Sequence, residues 1–156
     1  MAYSGLFDLR TPRDLLAKLR HDLARIENNW SDTYATFDFF VTADHIVDWL
    51  HPNDRPGQQA ERVKSPLLQL CYHISSGAKH FEATNPTHKS VLATELHPGQ
   101  FDSAQFDRSQ FDVGTLGILL TDEAAGALGF NWLDARTLSR MVLAFWESHP
   151  AMKEQP

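Results

Sequence analysis

Apolar residues recur along this chain mostly at helical intervals. After Thr11 and Pro12, a cap and a first-turn proline, Leu15, Leu16, Leu19, Leu23, Ile26 and Trp30 fall within one arc of about 100°, which predicts a first amphipathic helix. Its opposite face carries Arg13, Lys18, Arg20, His21 and Arg25 and reads as solvated surface. Asn28 and Asn29 loosen its end, and Ser31 or Asp32 can cap the next helix, so the short connection implies an antiparallel neighbour. That second helix, Thr33 to Leu50, is apolar around nearly its whole circumference, the pattern of a buried helix. Asp44, His45 and Asp48 interrupt it, and ionisable groups in such a setting need partners.

His51-Pro52-Asn53-Asp54-Arg55-Pro56-Gly57 is rich in turn formers and reads as the start of a loop of about 12 residues. Ser65 and Pro66 then open a third helix with the stripe Leu67, Leu70, Cys71, Ile74, Ala78 and Phe81. From Asn85 the character changes, since Pro86, Pro98 and Gly99 break the chain, and Val91 to Leu96 and Val113 to Thr121 read as two short strands. Between them Gln-Phe-Asp occurs at 100–102, 105–107 and 110–112. Three copies are too few for a solenoid and read as an arm whose Phe101, Phe106 and Phe111 either pin it to the helices or form a binding strip. Asp122 to Phe130 reads as a connection. Asp134 caps a last helix with Leu138, Met141, Val142 and Phe145 on one face.

The expected fold is therefore mainly α: an irregular four-helix bundle with a β-hairpin or arm, about residues 85–121, inserted between the third and fourth helices. Residues 1–150 are expected to form one helical-bundle domain and 151–156 a flexible tail. Ten phenylalanines, four tryptophans and three tyrosines in 156 residues are ample for a core. The formal charge of -6 with scattered basic residues disfavours nucleic acid as a partner. No stretch approaches the roughly 20 apolar residues of a membrane span. With Cys71 as the lone cysteine and no apolar leader, the expected location is the cytoplasm.

The candidate catalytic residues are His45, Asp48, Lys79 and His80. His45 and Asp48 lie three apart, on one side of the second helix. An Asp48–His80 contact with the third helix would satisfy both groups. Gly77 suggests a close helix approach there, because a glycine inside a helix costs about 1 kcal/mol relative to alanine. His73 and His80 are about 10.5 Å apart along a helix axis, too far to hold one ion unaided, so no metal site is expected. Ser75 and Ser76 lack a nucleophile elbow and a base-orienting carboxylate. Phosphate-loop, dinucleotide-fingerprint and CxxC patterns are absent, and no cofactor is expected.

Ala43-Asp44-His45-Ile46-Val47-Asp48-Trp49, the Cys71 to Phe81 segment with its Gly77-Ala78-Lys79-His80-Phe81 ending, and the Phe-repeat arm resemble a group of small uncharacterised bacterial and phage-associated helical-bundle proteins. The resemblance implies a helical bundle with an inserted hairpin and an association with phages or mobile elements. The Lys-His-Phe ending is distantly similar to HEPN-type helical domains, which implies a ribonuclease. Residues Ile74 to Lys79 include no arginine, so that activity would draw on Lys79 as its cation. The incomplete catalytic set favours a non-enzymatic module that binds a protein partner, a second copy or a small ligand. The alternative is a HEPN-like ribonuclease or other hydrolase with a His/Asp cleft.

Overall fold

The computed structural model describes residues 4–97 and 114–153, so Phe101, Phe106 and Phe111 lie outside the described residues. Among the described residues the fold is mainly helical, with six α-helices and a small three-stranded antiparallel sheet.

Helix α1 (Pro12–Asn28) opens on a capping box in which the Thr11 hydroxyl accepts from the Asp14 amide and the Asp14 carboxylate accepts from the Thr11 amide. Helix α2 (Thr33–Leu50) is capped by Asp32, whose carboxylate accepts from the Ala35 amide. It packs against α1, as the short connection implied, and also contacts the later helices α4 (Pro66–His80) and α6 (Ala135–Ser148). Its all-round apolar pattern has this cause, because α2 packs against α1, α4 and α6 at once. Phe39, Phe40, Ala43, Ile46 and Val47 are buried there with Leu19 and Ile26 of α1, Leu70 and Cys71 of α4, and Leu138 and Trp146 of α6.

The stretch expected as a loop contains a helix, α3 (Arg55–Val63), with Asp54 as its cap and a proline in its first turn. Pro56 starts this helix rather than forbidding it, since a first-turn position has no intrahelical partner for the missing N–H. Strands β1 (Val91–His97) and β2 (Thr115–Leu120) match the expected pair and run antiparallel, with an irregularity between Val91 and Ala93. The expected connection after them forms helix α5 (Asp122–Leu128), capped by Thr121 and closed by Gly129 at φ +87°, and a third strand, β3 (Trp132–Asp134). The sheet order is β1-β2-β3. After α6 the chain forms a 3-10 turn, Pro150–Met152, in which Met152 is buried. No described helix is long and apolar enough to cross a membrane.

Candidate functional site

Asp44 and Asp48, one helical turn apart on α2, share a partner that the sequence pattern concealed. Arg62 of α3 places Nε and Nη2 on Asp44 Oδ1 at 3.0 and 2.9 Å, and Nη2 also donates to Asp48 Oδ1 at 2.9 Å. Asp44 is 6% and Arg62 7% exposed. The guanidinium carbon lies 4.3 Å from the centroid of the Tyr72 ring, so the cation is covered by an aromatic face. Burial raises the Asp44 carboxyl above its usual range, against the pull of Arg62 and a hydrogen bond with Ser75. Burial also opposes charge on Arg62, but the two carboxylates outweigh it and hold the guanidinium protonated.

The preceding residue, Glu61, serves a second polar cluster. His51 Nε2, His149 Nε2 and Lys64 Nζ approach its carboxylate at 3.3, 3.0 and 2.9 Å. Because His149 Nδ1 accepts from the Ala151 amide, its proton sits on Nε2 and points at Glu61. Burial by itself would raise the Glu61 carboxyl, but hydrogen bonds from Lys64, His149 and His51 bring it down to about 2. Adjacent residues of α3 thus lock it to its surroundings in two directions. Asp22, also fully enclosed, is neutralised in the same manner by Lys18 and Arg25.

The candidate catalytic residues do not assemble. Asp48 faces Arg62, whereas His45, Lys79 and His80 are exposed. The Asp44/Asp48 spacing of one turn, rather than the His45/Asp48 spacing, defines the shared face, and the expected Asp48–His80 contact gives way to Arg62. Gly77 has nothing within 4 Å of where a Cβ would stand, so it marks no tight helix contact. Ser75, rather than Ser76, is the buried serine and is held by Asp44. Among the described residues no three His, Cys, Asp or Glu side chains converge as metal ligands would. His73 instead has a structural task. Its Nδ1 accepts from the amides of Ser90 and Val91 at 3.2 and 2.9 Å, and its ring stacks on His88 with centroids 4.9 Å apart, fastening the start of β1 to α4.

A different feature remains open. The inner face of the β1–β2 pair, where Thr94 pairs with Ile118 and Leu96 with Leu116, stands off from α2 and α4 and leaves a groove of about 310 Å³. Phe37 and Phe40 of α2 and Ile74 and Ala78 of α4 form its other wall. Phe37 and Leu96 are 50% and 60% exposed at this groove, so two large apolar side chains face solvent there. Leu116 also lines a second, smaller cleft of about 250 Å³ between Trp30, Trp132 and Arg136. No family model, curated protein or solved structure matches the chain.

Proposed function

We propose that this protein is a non-enzymatic binding module: a four-helix scaffold of α1, α2, α4 and α6 that presents the groove between its α2–α4 face and the sheet to a small apolar ligand. The groove itself carries this reading. An apolar concavity with a few polar groups at its edge, here Thr33, Thr36, Thr94 and Glu95, has the makeup of a small-molecule site. The state of the ionisable groups supports the same reading. Those inside the helices neutralise one another, so they supply cohesion, whereas a general base must reach a substrate proton.

Titration with N-phenyl-1-naphthylamine, an uncharged dye that fluoresces on leaving water, tests this. One saturable site is expected. Ala78→Trp should weaken it by about tenfold or more, because an indole projecting from α4 occupies the groove. Absence of saturable binding, or equal binding by a folded Ala78→Trp protein, overturns the reading.

A further inference from the structure

We propose that the ligand is an acyl-chain carboxylate, with its tail in the α2–α4–sheet groove and its carboxylate on Arg136 in the adjoining Trp30–Trp132 cleft. This rests on the groove reading and adds the identity of the head group.

The two cavities meet at Leu116, which lines both, so a single extended molecule can lie across that side chain. They differ in chemistry as the two ends of an amphiphile do, since the groove is walled mainly by aliphatic and phenyl groups while the cleft holds a guanidinium between indoles.

Arg136 is held by an aromatic ring and stands at the outer limit of ion-pair distance from a carboxylate. Its guanidinium carbon lies 3.5 Å from the centroid of the Trp30 ring, which holds it flat and in place. Its nearest carboxylate, Glu27, is 4.0 Å from Nη1, and both oxygens of that carboxylate are engaged by Arg140. Nε of Arg136 is buried with no hydrogen-bond partner. The acidic groups lining the two cavities are already committed. Asp134 gives one oxygen to the Thr137 amide at 2.9 Å and the other to the Thr137 hydroxyl at 2.6 Å, and Glu95 pairs with His97 at 3.2 Å. Arg136 is the cationic side chain lining the cleft, and a planar carboxylate suits its guanidinium fork.

The indoles complete the site. Trp132 lies flat over Gly117, where a Cβ would come within 2.5 Å of its Nε1, and Trp30 and Trp132 remain 38% and 40% exposed. The Trp30 ring shields one face of the guanidinium from water, which strengthens its attraction for an anion.

The experiment is displacement of N-phenyl-1-naphthylamine by decanoate, decanol and octanoate, the carboxylates below their micelle concentrations and decanol below its solubility limit, from wild type, Arg136→Gln and Ala78→Trp. Decanoate is expected to displace the dye at about tenfold lower concentration than decanol. Arg136→Gln should abolish that preference and leave decanol unchanged. Octanoate, shorter by two methylenes, should be weaker than decanoate by about fifteenfold. Equal displacement by decanoate and decanol, or a preference that survives Arg136→Gln, overturns the head-group assignment while dye binding upholds the groove. Dye binding that no alkyl compound displaces also overturns the assignment. If calorimetry detects neither dye nor decanoate binding, the groove reading falls and this inference falls with it.

Discussion

Arg62 sets two of its nitrogens on a single oxygen of Asp44, at 3.0 and 2.9 Å, with both side chains more than nine-tenths enclosed. The pair joins a short polar helix to the central apolar one. Removing the cation would leave Asp44 charged and buried, so Arg62→Ala should cost about 3 to 5 kcal/mol in a denaturant titration. Combining Arg62→Met with Asp44→Leu should recover most of that loss, because the desolvation cost of both ions disappears together. A single Arg62→Ala midpoint equal to wild type would contradict the arrangement.

Asp44 and Asp48 also show how far the chain can be read without coordinates. The all-round apolar pattern of α2 correctly implies that carboxylates within it must find partners, and Asp44 does lie inside. The partner was illegible, because Arg55 to Val63 offers two apolar side chains besides its proline, too few to mark a helical face, and begins among turn formers. With that segment read as a loop, His80 is the nearest partner the sequence offers. His45 points outward because an interior helix still has one seam facing solvent, and a pattern apolar on all sides does not show where that seam falls. β1 and β2 are legible as short apolar runs bounded by proline and glycine, whereas β3, three residues long, is too short to stand out. The groove depends on how far the sheet stands from α2 and α4, a distance set by packing between remote segments.

Glu61 gives a pH dependence of defined sign. Its folded carboxyl titrates at about 2, below the ordinary 4.5, so its pairing adds stability that is complete above pH 4.5 and drains away as pH falls toward 2. Asp44, raised by burial, acts in the opposite sense, which makes a single-site comparison necessary. Glu61→Gln should lower the urea midpoint at pH 7 and reduce the loss of stability between pH 4.5 and pH 2. Parallel curves for the two proteins would show that this cluster contributes no linkage.

His73 is held neutral by burial and by its stacked neighbour His88, so its folded pKa lies below 6.5. The linked stability is full above pH 6.5 and declines as pH drops through the interval between that value and the folded one. Protonation at Nδ1 also destroys the acceptor for the Ser90 and Val91 amides. Hydrogen exchange at these two amides, corrected for intrinsic rates, should accelerate as the solution is acidified, and His73→Leu should show the fast rate already at pH 7.5. Slow exchange in His73→Leu would mean that the β1 start is held by something else.

Two glycines should respond oppositely to alanine. At Gly117 the added methyl would collide with the Trp132 indole, so Gly117→Ala should cost about 1 to 3 kcal/mol and shift tryptophan emission toward that of solvent-exposed indole. At Gly77 the space is open and the residue lies within α4, so Gly77→Ala should stabilise the protein by up to about 1 kcal/mol. Thermal melts of the two variants moving in the same direction would refute this reading of the helix and the sheet.

The groove is the claim on which the functional account stands, and its most direct test is amide chemical-shift mapping during titration with N-phenyl-1-naphthylamine. Saturable shifts concentrated at Phe37, Ala78, Leu96 and Leu116, with Asp44, Asp48 and Arg62 unmoved, are the expected result. Shifts centred on His45, Lys79 and His80, or none at saturating dye, would contradict it.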